Sequence, residues 1–298
     1  MSNIAPASKR LDKEKMFNLV YVVPAVLIFM VFSIFPIYRT IQYSFTNSNG
    51  VTFNHNYIGF DNYVQALTDK IWWQGVGNGL FFAIAALIFM NSIALLLSLS
   101  VNTGIRGNKA YRVIFYIPPI LSGIVVGYLW KWIYDPDGLI NLTLNAVGLK
   151  QWTHAWLGET GTALTSVSIA SMWQGVGGSF ILFLAGLQGI PAQLYEAAKI
   201  DGAGRLQQLI YITIPSLRRV YTLVNILTIL GAMQIFNHVY SMTNGGPGYA
   251  TEVPALRIYR EAFRNGDFGM ASTFSVLFAL MLFVVSFIQL KYSQNDDN

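Results

Sequence analysis

The chain is expected to be an all-α polytopic membrane protein, with six transmembrane helices and a short charged helical segment between the fourth and fifth. Three observations predict this. Only 11% of the 298 residues are charged and 54% are hydrophobic, against roughly 25% and 45–50% in ordinary soluble domains. The uncharged runs are long: Thr160 to Tyr195 contains no charged residue, whereas a soluble helical protein places charges periodically along its helices. Six segments each supply the roughly 20 mostly apolar residues that a spanning helix needs.

In chain order, residues 1–15 are polar and of mixed charge and form a tail. The first span covers 17–38; it is too long for a signal-peptide core and lacks a small-residue cleavage site, so it is retained. The second covers about 79–101. The third, 113–130, is bracketed by Arg112 and Lys131. The fourth, fifth and sixth cover about 163–187, 220–241 and 270–290. Pro24, Pro118 and Pro119 fall inside spans, which implies kinked helices whose freed carbonyls are satisfied by neighbours. Six spans put both termini on one side, and basic residues choose the side. Short basic segments at 106–112 and 218–219, with the basic tail, place both termini and the 191–217 segment in the cytoplasm. The loops on the other side are longer: 39–72, 131–162 with a DPDG turn at 135–138, and 242–269. Within the last, 252–264 reads either as an amphipathic helix lying on the membrane interface or as a solvated loop.

Several classes of function are excluded. No cysteine is present, so there are no disulfides, thiolate nucleophiles or cysteine-ligated metals. The histidines at 55, 154 and 238 are isolated, without metal-ligand spacing. No catalytic constellation is visible, and no metal or cofactor is expected in this chain. The net charge of +5 is the cytoplasmic excess of a protein surrounded by membrane lipid, not a sign of nucleic-acid binding.

The segment 191–217 has its own logic. Pro191 suits a helix start, and AQLYEAAKI favours helix. Asp201-Gly202-Ala203-Gly204 breaks it, because glycine readily takes the left-handed cap conformation. RLQQLIYITI then forms a second helical piece, ended by Pro215 before Arg218-Arg219. On these features alone it is an interfacial hairpin joining two spans. It also fits the pattern E-A-A-x3-G-x9-I-x-[LI]-P, with Glu196, Ala197, Ala198, Gly202, Ile212, Ile214 and Pro215 in place. This resembles the EAA motif of permease subunits of binding-protein-dependent ABC importers; Ile214 stands where leucine is usual. FPIYRTIQYSFTN at 35–47, YIGFDNY at 57–63, FYIPPILSGIVVGYLWKWIYDPDGLIN at 115–141, TNGGPGYAT at 243–251 and IYREAF at 258–263 are similar to the carbohydrate-uptake branch, of maltose, multiple-sugar or glycerol-3-phosphate type.

The resemblance implies a single transmembrane permease domain over 1–298 in a bacterial-type cytoplasmic (inner) membrane. It makes 191–217 the coupling region, which docks on a separate ATPase and whose coupling residues are Glu196, Ala197, Ala198, Asp201, Gly202, Gly204 and Pro215. The implied partners are a second related permease, an ATPase dimer carrying ATP and Mg, and an extracytoplasmic solute-binding protein. The chain has no G-x-x-x-x-G-K-[ST] phosphate loop, so it is not expected to be an enzyme and the ATPase falls to another subunit. The implied solute is a sugar or oligosaccharide. Glycerol-3-phosphate or a polyol is the alternative, and a stand-alone secondary carrier a more distant one.

Polar groups within spans usually face a cavity or the bundle interior. Trp173, Gln174, Asn225, Gln234, Asn237 and Ser241 form the expected solute pathway. Gln234, Asn237 and Ser241, at i, i+3 and i+7, are expected to share one helix face, and Trp173-Gln174 to pair a ring with an amide, as a sugar requires. Each residue singly is better explained by interhelical hydrogen bonding; as a set they read as a cavity lining. Asn91 reads as interhelical glue and His238 as an outer-mouth residue. The spans show no Arg or Lys to receive a phosphate, which favours a neutral solute.

Overall fold

The computed structural model describes residues 21–51, 56–102 and 107–295. The tail 1–15, the start of the first expected span, His55 and Arg106 lie outside the described residues.

Helix α1 (Tyr21–Tyr43) carries a π turn at Met30–Ile34 just before Pro36, whose ring nitrogen has no hydrogen for a regular turn. A short α2 (Asp61–Thr68) leads to α3 (Lys70–Asn102). Asp69 caps α3, its Oδ1 accepting from Ile71 N at 2.7 Å and Trp72 N at 3.1 Å, which satisfies N–H groups that have no partner within the helix. The cap lets α3 start nine residues before the expected second span. A π turn at Ala86–Met90 immediately precedes Asn91.

The third expected span is not one straight helix. It is α4 (Asn108–Ile120) and α5 (Gly123–Ile133), bent by 98°. Pro118 and Pro119 remove two N–H donors, and Leu121 and Ser122 are extended, with ψ of 148° and 135°. At 1.5 Å per residue the two pieces measure about 20 and 17 Å, short of the ~30 Å hydrocarbon core. Next come α6 (Leu139–Ala146), α7 (Ala163–Gln188) and α8 (Ala192–Ile200). Helix α9 (205–216) includes a π turn at Leu209–Thr213.

The fifth expected span is α10 (Arg218–Met233) followed by α11 (Asn237–Met242), interrupted at Gln234–Phe236. Then come α12 (Pro254–Phe263) and α13 (Phe268–Asn295). Among the described residues, five helices are long and apolar enough to cross a membrane, the fifth expected span counted as one, or six with the bent pair taken as one span. No β-strand occurs among the described residues beyond one isolated bridge, Thr46 to Tyr57.

By internal contacts the chain forms two units, residues 1–66 with 261–276 and residues 67–260 with 277–298. In the first, Asn62 Nδ2 donates to Ser44 O (3.2 Å) and Thr46 O (2.9 Å), and Thr273 Oγ1 donates to Ser44 O (3.0 Å). These bonds satisfy the backbone that leaves α1, beside a cluster of Phe45, Phe60 and Tyr63.

The second unit has two hydrophobic clusters. One, toward the start of α7, gathers Phe82, Val167, Val239, Val253 and Leu256. The other, toward its end, gathers Ala94, Val101, Phe180, Phe183 and Val224. Val253 and Leu256 are fully buried. The segment expected to lie on the membrane interface or in solvent is therefore a helix seated in the protein's own core. Its apolar stripe is covered by α3 and α11 side chains.

Helices α4 and α7 meet at Gly177. A Cβ there would overlap Phe115 O and the Pro119 ring, whereas a Cβ on Gly178 meets nothing within 4 Å. Phe115 O is the carbonyl that Pro119 leaves without a helical partner, so the close approach occurs where the helix is already disrupted. Gly177→Ala is expected to lower stability by about 1–3 kcal/mol through overpacking, read as a drop in thermal midpoint in detergent, and Gly178→Ala to leave it unchanged. Equal midpoints for the two variants would contradict this packing.

Candidate functional site

Between the two clusters of the second unit lies a cavity of about 550 Å³. Its polar lining consists of Ser171, Gln174, Ser179, Thr228, Gln234, Asn237 and His238, with Phe82, Met90 and Phe236 among the apolar walls. No Asp, Glu, Lys or Arg is in the lining. The helix interruption at Gln234–Phe236 opens it. Gln234 caps α10 with φ −88° and ψ 13°, so successive side chains from Gln234 to His238 reach the cavity instead of winding around a continuous helix.

The expected pathway residues separate into three groups. Gln174, Gln234 and Asn237 line the cavity. The expectation of a single face for Gln234, Asn237 and Ser241 fails, because the helix is broken between the first two. Ser241 is buried at 5% exposure, donates to Asn237 O at 2.7 Å and stands over Gly127; it serves the packing of α5 on α11. Trp173 is outside the cavity lining and meets Trp130 edge-on at 5.8 Å. Adjacent residues on a helix point about 100° apart, so ring and amide do not act as a pair. Gln174 is itself engaged: its Nε2 donates at 2.7 Å to Leu121 O, in the break between α4 and α5.

Asn225 belongs to a polar knot centred on Asn91. Asn91 Nδ2 donates to Asn225 Oδ1 at 3.0 Å, and Asn91 Oδ1 accepts from Ser179 Oγ and Thr228 Oγ1, each at 3.1 Å. Asn91 is fully buried, and the knot ties α3, α7 and α10 together. His238, expected near the outer mouth, lines the cavity, and its Nε2 is buried without a hydrogen-bond partner among the described residues.

A further feature had no sequence signal. Glu252 is fully buried and accepts from Arg260 Nη1 at 2.7 Å, while Arg260 Nη2 donates to Asn244 O. Asn78 Nδ2 donates to Ala250 O and Glu252 O, and Gln74 Nε2 to Tyr249 O. Helices α3 and α12 thereby pin the whole TNGGPGYAT segment. Asp69 Oδ2, on the residue that caps α3, accepts from Arg257 Nη2 at 2.7 Å.

The 191–217 segment is a helix–turn–helix. Ala203 N donates to Ala198 O (2.8 Å) and Gly202 N to Lys199 O (3.1 Å), which is the Schellman arrangement. Gly202 sits at its left-handed position, φ +78°. Asp201 is the C-cap of α8 and Gly204 the N-cap of the next helix. Tyr195 OH and Thr213 Oγ1 lie 2.9 Å apart and fasten α8 to α9. Glu196 and Ala197 face solvent and Ala198 is half-buried; Pro215 is exposed in the last turn of α9. Apolar side chains also stand in the open, Ile200 at 87% and Tyr211 at 76% exposure.

This geometry defines a class: a polytopic helical protein whose spans line an uncharged polar cavity, and which presents a helical hairpin with exposed charged and apolar side chains between two of them. The chain belongs to the family described as "Binding-protein-dependent transport system inner membrane component", whose model matches residues 91–294. It is similar to the probable ABC transporter permease protein YurN of Bacillus subtilis, 33% identical over 284 residues, covering 94% of this chain and 97% of that one. It is also similar to the diacetylchitobiose uptake system permease protein NgcF of Streptomyces coelicolor, 33% identical over 292 residues, covering 94% and 83%. The fold matches a chain of a bacterial ABC transporter involved in the import of the acidic polysaccharide alginate. The TM-score is 0.83 at 23% identity, over 96% of this chain and 99% of that one.

Removing one partner of a buried ion pair leaves an uncompensated charge. Glu252→Ala is expected to cost about 3–5 kcal/mol and to expose the 243–251 segment to proteolysis, with α8–α9 unaffected. Limited proteolysis with mass spectrometry reads both, and an unchanged cleavage pattern counts against the pinning role.

Proposed function

We propose that the chain is one permease subunit of an ATP-driven importer for a neutral sugar or oligosaccharide. The observation that carries this reading is the cavity, lined by amides, hydroxyls and an imidazole without a charged side chain. Its volume of about 550 Å³ suits a small solute, since ligand pockets run roughly 300–1,000 Å³. Amides and the His238 imidazole bond hydroxyls, and the Phe82 and Phe236 rings offer faces for the apolar side of a sugar. A buried polar atom needs a hydrogen bond, and a solute hydroxyl supplies one to His238 Nε2. The names of similar proteins point the same way, among them diacetylchitobiose and lactose permeases. Glycerol-3-phosphate fits less well, because no cation lines the cavity to receive its phosphate.

The proposed complex contains a second related permease, an ATPase dimer that binds ATP and Mg, and an extracytoplasmic solute-binding protein. It lies in the inner membrane, with both termini and the α8–α9 hairpin in the cytoplasm. The absence of a phosphate loop supports an ATPase on a separate subunit. A solved relative of the same fold was captured with an alginate pentasaccharide-bound periplasmic protein.

Coupling then runs through one mechanical line. The ATPase pushes on α8, with Glu196 paired to a basic group across an interface shielded from water. The Gly202 turn and the Tyr195–Thr213 contact carry the push to α9. Buried Leu217 joins α9 to α10, and α10 supplies Val224, Leu227, Thr228 and Gly231 to the cavity wall. Movement of α8 thereby reaches the solute site.

Uptake in proteoliposomes tests the solute site. Asn237→Leu and His238→Leu are each expected to reduce uptake of the matching sugar about tenfold, the loss of about 1.4 kcal/mol from removing a solute hydrogen bond, with assembly intact. Unchanged uptake in both would assign the solute contacts to the partner permease. Coupling has its own test: Glu196→Lys and Gly202→Val are expected to leave a fully assembled complex whose ATP hydrolysis no longer drives uptake. Normal uptake in both would remove the coupling role from α8.

A further inference from the structure

We propose that α6 and the residues flanking it form a lipid anchor, lying in the headgroup–acyl boundary of the bilayer at the end where α7 enters. Helix α6 belongs to a connecting segment between spans, yet its apolar side faces outward. Leu139, Leu142 and Ala146, at i, i+3 and i+7, share one face, and the two leucines are 55% and 58% exposed. Nearby in sequence, Trp132 is 71% and Trp152 63% exposed. A helix in water turns such a stripe inward.

The outward orientation is built in. On the opposite side Asn141 is buried at 4% exposure. Its Nδ2 donates to Pro136 O at 3.0 Å and His154 O at 2.9 Å, and its Oδ1 accepts from Trp156 Nε1 at 2.9 Å. Three partners hold one side chain, so α6 cannot roll its leucines inward without breaking them.

The same network sets the depth. Trp156 O accepts from Thr162 Oγ1 at 2.8 Å, and Thr162 is the N-cap of α7. Helix α7 has 26 residues, about 39 Å at 1.5 Å per residue, against a hydrocarbon core of ~30 Å. The excess of about 9 Å carries turns at its ends to headgroup level, and the Trp156–Thr162 bond holds α6 at one of those ends. Exposed Lys131 adjoins Trp132 and exposed Lys150 lies two residues from Trp152. Tryptophan concentrates at membrane interfaces, and a lysine beside it extends its ammonium to the lipid phosphates. An apolar stripe flanked by such pairs is the arrangement of an interfacial helix. Helix α5 also exposes apolar side chains, Val125 at 55% and Tyr128 at 58%. The occupant is thus a phospholipid surface; a protein partner on this face is the competing outcome.

The chain lacks cysteine, so one introduced cysteine reports one position. Nitroxide is attached at Leu142→Cys, at Trp152→Cys and, as the solvent control, at Asp137→Cys in the DPDG turn. Each is placed in the complete transporter in nanodiscs of phosphatidylethanolamine and phosphatidylglycerol, with label on the unsubstituted complex subtracted. Collision rates with oxygen, which partitions into lipid, are compared with those of a water-soluble nickel chelate. At 142 and 152 oxygen is expected to dominate several-fold, and at 137 the chelate. Chelate access at 142 and 152 equal to that at 137 would put α6 in water and overturn the anchor. Exclusion of both reagents there would show a protein covering the face, and would overturn it equally. The readout is position, not transport, so it stands or fails separately from the proposed solute and coupling roles.

Discussion

A peptide group in hydrocarbon has no water to bond with, and the architecture of this chain follows from that constraint. Where the spans are regular, the helix satisfies itself. Where they break, side chains must substitute. At the break between α4 and α5, Gln174 Nε2 takes Leu121 O at 2.7 Å. Where three helices meet at the buried Asn91, its side chain uses donor and acceptor together to bind Asn225, Ser179 and Thr228. The polar residues in the spans are therefore first structural, and the cavity is assembled from what those obligations leave available.

The same accounting explains why the cavity can act and be acted upon. Its walls combine rigid and interrupted helix. Helix α7 is continuous over 26 residues, held to α4 by close backbone approach at Gly177. Opposite it, α10 stops at Met233 and α11 restarts at Asn237, so Gln234 just past α10 and Asn237 and His238 in the first turn of α11 all reach the cavity. Helix α10 is also the continuation of the α8–α9 hairpin. Under the proposed coupling, a load applied to the hairpin reaches the wall that Val224, Leu227, Thr228 and Gly231 form.

Much of this was legible in order along the chain. The long uncharged runs announced the spans, because burying a charge in lipid is expensive. The Pro191 start, the Gly202 turn and the Pro215 stop gave the hairpin, because these residues act through local backbone geometry alone. The double proline announced a kink in the third span, though not a bend of 98°, which depends on what α5 packs against. The interruption at Gln234–Phe236 had no proline to announce it, only Gly231 three residues earlier. Asn225 and Ser241 looked like solute contacts because composition reveals polarity and not its partner. Glu252 and Arg260 lie eight positions apart in a segment that read as either an interfacial helix or a solvated loop, and only folding brings them to 2.7 Å.

The sequence by itself determined the class of protein, the number of apolar segments, the helical hairpin and its turn, and the want of a phosphate loop. All of these rest on local composition or local backbone preference. Tertiary structure alone decided which polar side chains face the cavity and which face one another, where the fifth span opens, and that the helix after the TNGGPGYAT segment is core and not surface. Those outcomes depend on pairs far apart in the chain, such as Asn91 with Thr228 and Asn78 with Glu252. No periodicity within a single segment encodes a partner more than a hundred residues away.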